Sequence, residues 1–249
     1  LDNHVEEILP ENATVKGLYS GGTLGSEAAM LISEALGLGE IIHEEGYVLN
    51  AHGYQVVDYG DDMYTQGRPH PMIDPATRIE AIKKAGAEAD TGVILLDVVL
   101  GYGSHADMAG ALAPAIKEVL DKAKGENRQL HVIASVTGTR QDPQNYDATI
   151  ATLKQAGALI EDSNAKAVRL ALKFKGIAFK EIEKAVKEVP VSKIELPKPS
   201  EAVMELLTTK PRVINIGLES FNESIGKFGG ESIQYNWKPI AGGNKKLIR

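Results

Sequence analysis

Two side chains with chemical potential, Arg68 and His70, stand between prolines in Gly67-Arg68-Pro69-His70-Pro71. The pyrrolidine rings restrict how far this segment can wander. A guanidinium held in place clamps a carboxylate or phosphate through two parallel hydrogen bonds. An imidazole beside it moves a proton near neutral pH. The competing reading is structural, with both side chains holding the loop shut against Asp61, Asp62 or Asp74. The adjacent acids Asp61 and Asp62 suit a turn or cap better than a cation site, because no further ligands accompany them. A second chemical feature is the turn Ser20-Gly21-Gly22-Thr23. The glycines permit tight turning and close approach of a ligand. Ser20 or Thr23 is expected to cap the helix that follows. Open amides at such a helix start attract phosphate or carboxylate. An ordinary strand-to-helix turn is the alternative, since the glycine spacing is neither GxGxxG nor a P-loop.

These residues need elements to position them. Residues 14–19 read as a buried strand, and Leu24, Ala28, Leu31 and Ala35 give the next segment a helical apolar face. Gly46–Leu49 and Gln55–Tyr59 form a hairpin-like pair. The loop Gly60–Pro75 is long enough to imply a task. Asp74 is expected to cap a helix over Ala76–Ala85. Val93–Leu100 is the strongest strand, nearly continuous and apolar, as for a parallel strand covered on both faces. Within it Asp97 reads as a buried anchor. A helix to about Lys124, a strand over Leu130–Val136, a helix over Tyr146–Ala156, a strand over Ala158–Ile160 and a helix from Ser163 follow.

This alternation predicts an α/β fold, an open, mainly parallel, doubly wound sheet of flavodoxin-like or related order. Ligands bind such sheets at the carboxyl ends of the strands. That rule gathers four loops into one expected site: Ser20, Gly21, Gly22 and Thr23; Gly101 to Ser104, including Gly103; Thr137, Gly138 and Thr139; and Ser163 with Asn164. Residues 1–13 read as a linker, 14–174 as the main domain, 175–211 as a partly helical linker, and 212–249 as a small βαβ segment. That last segment is too small to fold well alone and is expected to dock on the main sheet, a neighbouring subunit or further chain. His4, His43, His52 and His131 have no partners at metal-ligand spacing, so no metal site is expected. The lysine-rich run from Lys173 to Lys193 reads as a solvated face.

The chain has 249 residues and a net charge of −7, which gives no basic footprint for nucleic acid. Cysteine is absent, which excludes disulfides and thiolate metal sites and suits the cytoplasm. No apolar run approaches the roughly 20 residues of a membrane span. The first residue, Leu1, suggests a piece of a longer protein.

Several motifs together resemble the FdrA family of acyl-CoA-synthetase-like proteins. They are Gly17-Leu18-Tyr19-Ser20-Gly21-Gly22-Thr23-Leu24, Gly60-Asp61-Asp62, Thr65 to Pro75, and Leu95 to Gly101. Val136 to Thr139 with Asp142-Pro143-Gln144, Val213 to Leu218 and Ala241 to Lys246 match its later segments. The resemblance places these residues in the C-terminal half, preceded by CoA-binding-type domains, and implies kinship to succinyl-CoA synthetases. It implies acyl-CoA ligation, or carbamoyl transfer of the oxamate carbamoyltransferase kind with partner subunits. It also implies a phosphate or CoA-type anion as ligand, a nucleotide only with further domains, and a homo-oligomer. The ligases hold a phosphohistidine between the amino ends of two helices, and Ser20 to Leu24 sits where one such helix would begin. Their Gly-His-Ala-Gly loop is missing here: His105, in Ser104-His105-Ala106-Asp107, lacks the second glycine, and no ATP-grasp domain fits. A different expectation is a non-catalytic assembly module whose terminal βαβ segment supplies the interface; a third, less favoured one is an anion sensor without chemistry.

Overall fold

The computed structural model describes residues 7–41, 46–178, 197–243 and 246. His4, His43, most of the lysine-rich run and the Asn244-Lys245 pair lie outside them. The chain divides into two compact units, Leu1–Glu183 and Lys184–Arg249.

The first unit runs β1 (Thr14–Tyr19), α1 (Gly22–Leu36), β2 (Leu49–Ala51), β3 (Tyr54–Asp58), α2 (Asp62–Thr65), α3 (Ala76–Ala87), β4 (Thr91–Val99), α4 (Met108–Gly125), β5 (His131–Thr137), α5 (Tyr146–Gln155), β6 (Leu159–Glu161) and α6 (Asn164–Phe174). The strands lie in the order β2-β3-β1-β4-β5-β6. β2 pairs antiparallel with β3, and every other neighbour pair is parallel. Setting β2 aside, the five parallel strands have the 2-1-3-4-5 order of flavodoxin-like sheets. The β2–β3 hairpin turns at His52 and Gly53, both at positive φ (49° and 80°), as a two-residue type I′ turn requires. The strands therefore reach closer to the turn than the sequence pattern suggests.

β4 is buried along all but its last residue, which explains its near-absence of polar side chains. Its pleat divides the core. Ile94, Leu96 and Val98 pack with Leu18, Ile82, Leu112, Ile116 and Leu153 in one layer. Val93 and Leu95 pack with Val15, Tyr19, Ala28, Ile32, Val168 and Leu172 in the other. Each fully buried aliphatic side chain contributes about 1.5–3 kcal/mol.

Residues 7–13 are no loose linker. Leu9 and Ala13 are buried in the second layer, and the Leu9 amide donates to the Phe174 carbonyl at 2.8 Å. The chain entering β1 is thereby tied to the end of α6.

The second unit contains α7 (Glu201–Thr208), β7 (Arg212–Ile216), α8 (Glu219–Lys227) and β8 (Glu231–Tyr235). β7 and β8 form a separate parallel two-stranded sheet.

Candidate functional site

The order reverses at β1, whose neighbours are β3 on one side and β4 on the other. There the strands part. β1 stays paired with β3 up to Tyr19 and Asp58, but its register with β4 ends at Leu18 and Leu96. Such a crevice normally takes a ligand. Here the protein fills it. Arg78, from α3, donates through Nη2 to the Leu18 carbonyl at 3.1 Å and lies 3.0 Å from Asp97 Oδ1. Asp97 in turn accepts from the Ser20 amide at 2.8 Å and the Ser20 hydroxyl at 2.7 Å. Arg78 is 1% exposed and Asp97 0%. Burial pushes the Arg78 pKa down, and the Asp97 carboxylate opposes that shift. Asp97 is thus the buried anchor its place in an apolar strand implies, and it also holds the glycine turn.

Ser20 is consequently no cap. The N-cap of α1 is Gly21, in extended conformation, without a side-chain hydrogen bond, and Thr23 is exposed. The first amides of α1 have no intrahelical partner. Gly21 and Gly22 are packed closely. A Cβ on Gly21 would lie 2.9 Å from the Met72 methyl, and one on Gly22 would lie 2.9 Å from Asp58 Oδ2. The glycines therefore serve close approach by the protein's own groups as well.

Two of the other expected loops commit an amide to the protein's own side chains. Gly101 donates its amide to Gln144 Oε1 at 2.9 Å, and Gln144 Nε2 returns a bond to the Gly101 carbonyl at 2.8 Å. The Thr139 amide donates to Asp142 Oδ2 at 2.6 Å. Gly138 is pressed on Leu100, whose Cβ would lie 2.7 Å from an added Cβ. Thr137 uses its carbonyl to hold the Leu100 amide at 2.9 Å. Gly103 has open space around it. Asn164 is a buried bolt. Its Oδ1 accepts from the Tyr19 hydroxyl at 2.8 Å, and its Nδ2 donates to the Leu24 carbonyl at 2.9 Å and Glu27 Oε2 at 2.7 Å. Asn164 and the Gly101 and Thr137 loops are thus each held by bonds or packing within the protein. A cleft of about 640 Å³ does open beside Gly22, lined also by Ser26, Tyr47, Asp58, Asp61 and Tyr64, and none of the Gly101 or Thr137 loop residues lines it.

The Pro-rich loop folds over the start of α1. Asp61 caps α2 by accepting the Met63 amide at 2.8 Å. His70 Nδ1 accepts the Met72 amide at 3.2 Å, which assigns the ring proton to Nε2. Met72 gives its carbonyl to the His105 amide at 2.7 Å. It thereby stands between the glycine turn and the β4–α4 loop. Asp74 accepts the Ala76 amide at 2.9 Å, while Pro75 is the N-cap of α3. Three groups converge on Gly60. A Cβ there would meet His70 Nε2 at 2.6 Å, the Ser20 carbonyl at 2.9 Å and Asp58 Oδ1 at 3.0 Å. Burial raises the Asp58 pKa, opposed by the Gly60 amide it binds and by nearby His70. Arg68 is exposed and makes no side-chain bond to Asp61, Asp62 or Asp74. Only His70 is locked into the loop, through Met72.

Arg78, Asp58, Met72 and Gln144 are the participants that sequence reasoning missed. One signal was present. Arg78 falls on the buried stripe of α3 with Ala81, Ile82 and Ala85, and Asp97 is the lone charge in β4. Two opposite charges at core positions must find each other. Among the described residues no group of three or more His, Asp or Glu could hold a metal ion, and no helix is long and apolar enough to cross a membrane.

A family profile described as CoA-ligase matches residues 18–174. The uncharacterized protein YahF of Escherichia coli (strain K12) is 33% identical over 173 residues, which cover 67% of this chain and 34% of that protein. The chain therefore spans about a third of the length of this curated relative. Among solved structures, PH0766 from Pyrococcus horikoshii OT3 is similar with a TM-score of 0.39 and 14% identity, over 69% of this chain and 38% of that one. ATP citrate lyase from Methanothrix soehngenii, in complex with citrate and coenzyme A, is similar with a TM-score of 0.40 and 18% identity, over 80% and 30%.

Proposed function

This chain belongs to the CoA-ligase family, and from that premise we propose that it is the FdrA-type part of a larger enzyme that transfers an acyl or carbamoyl group, with its anion seat at the first turn of α1. The observation that carries this reading is the start of α1, whose amides lack a side-chain cap and follow Ser20, whose carbonyl converges with His70 Nε2 on Gly60. Those amides and the positive end of the helix dipole suit a phosphate, as in an acyl or carbamoyl phosphate, or a phosphate of CoA. Arg68, free in solvent, closes on the anion. His70, with its proton on Nε2, donates a hydrogen bond to the group that leaves and offsets the charge developing there. Asp58 next to Gly22 opposes an anion when ionised. Burial raises its proton affinity, which lessens that opposition. A nucleotide would need further domains. CoA-binding-type domains preceding these residues and separate partner subunits complete the activity, and the cytoplasm is the expected setting.

The test is calorimetric titration of the intact protein with carbamoyl phosphate and with CoA. Arg68→Ala is expected to weaken anion binding about tenfold, the loss of one charge-assisted contact. His70→Gln is expected to lower turnover with little change in affinity. Unchanged binding in the Arg68 variant removes the loop from the site.

A further inference from the structure

The β7–α8–β8 unit wears its polarity inside out. α8 covers the face of the sheet that carries Val213, Asn215, Ser232 and Gln234. Ser232 Oγ reaches the Asn222 carbonyl of α8, and Asn215 Nδ2 donates to Gln234 Oε1 at 2.6 Å. The opposite face carries Ile214, Ile216, Ile233 and Tyr235, which are 68, 64, 70 and 56% exposed. A parallel sheet with one bare apolar face is an incomplete layer. Leu218 and Trp237, just past the two strands, are 66 and 63% exposed. Together these six side chains offer on the order of 800 Å², which is what a standard interface takes from each partner.

We propose that this face packs against the same face of a second copy of the chain, about a twofold axis running along the strands. The register supplies the argument. Arg212 lies opposite Glu231, Ile214 opposite Ile233, and Ile216 opposite Tyr235. A twofold along the strand direction exchanges β7 for β8 across the interface and keeps the direction of both. Every residue then meets the partner's register mate: Ile214 meets Ile233, Ile216 meets Tyr235, and Arg212 meets Glu231. That last contact occurs twice. Among the described residues neither Arg212 nor Glu231 has an ion pair of its own. The patch is therefore self-complementary in charge as well as apolar, which an isologous interface requires. Two sheets stacked in this way sit about 10 Å apart and close to aligned, and the strands are short enough to keep the register despite twist. The inference is independent of the anion seat at α1.

The experiment is sedimentation equilibrium on the full chain at micromolar concentrations. The wild type is expected to be a dimer. R212E and E231R, each alone, are expected to raise the dimer Kd by about tenfold or more, because two attractions become two repulsions. Either variant also sets like charges side by side within its own sheet, so the decisive arm is mixing. An equimolar mixture of R212E and E231R restores both pairs across the interface and is expected to heterodimerise with near wild-type affinity. A variant that merely misfolds is not rescued by mixing. Ile214→Ser with Ile233→Ser is expected to abolish the dimer. A monomeric wild type, a dimer indifferent to these substitutions, or a mixture no tighter than its components overturns the proposal.

Discussion

Replacing Asp97 by asparagine tests the plugged crevice most severely. Asp97, fully buried, accepts two hydrogen bonds from Ser20 and forms an ion pair with Arg78. The amide keeps one acceptor and nearly the same volume, so packing is spared. The charge is lost, and Arg78 is left 1% exposed with only the Leu18 carbonyl for its Nη2. Stranding a buried charge in this way costs about 3–5 kcal/mol. That is a large share of the roughly 5–15 kcal/mol that hold a domain folded. Arg78→Met strands the carboxylate instead and has a similar cost. The double variant removes both charges, so it is expected to fall short of the summed single losses by about 2 kcal/mol or more. Urea unfolding followed by far-ultraviolet circular dichroism is the assay, because the one tryptophan, Trp237, belongs to the second unit. A loss below about 1 kcal/mol in Asp97→Asn, or strict additivity in the double variant, would refute the ion-pair account.

Gly60→Ala places a methyl within 3.0 Å of His70, the Ser20 carbonyl and Asp58, so it is expected to displace the Pro-rich loop and weaken carbamoyl phosphate binding, read by calorimetry. His131 stacks on Phe174 at 3.9 Å, and burial lowers its pKa below 6.5. The unfolded chain then binds the proton more readily, so stability is full above that value and falls as pH drops through it. His131→Phe is expected to flatten this dependence in unfolding curves taken at pH 7.5 and 5.5, and parallel curves would count against it. Tyr19→Phe removes the donor to Asn164 and should cost about 1 kcal/mol by urea unfolding; a larger loss would mean that the hydroxyl holds more than that one amide.

The sheet was legible where burial dictates composition. The run Val93–Leu100 marks a strand covered on both faces, and the stretch between Leu49 and Gln55 marks a hairpin whose turn the structure narrows to His52 and Gly53. Strand–helix alternation leads from there to the doubly wound order. The site was less legible, for a definite reason. Strand-end rules locate loops without saying which side chains already bind their amides. Asp97, Gln144 and Asp142 lie 77, 43 and 3 residues from the donors they satisfy, and only the last is local enough to read. Asn164 looked available at a helix start, yet its partners, Tyr19 and Leu24, come from the other end of the unit. Leu9 was hidden in a polar stretch with Pro10, and its burial depends on the end of α6, over 160 residues away.

The central claim is that the protein closes its own switch-point crevice and leaves α1 as the place for an anion. Backbone amide NMR during titration with carbamoyl phosphate tests it most directly. Shifts are expected at the amides of Gly22 and Thr23, with Ser20, Gly101 and Thr139 still. Shifts concentrated at Gly101 and Thr139, with Gly22 unmoved, would contradict it.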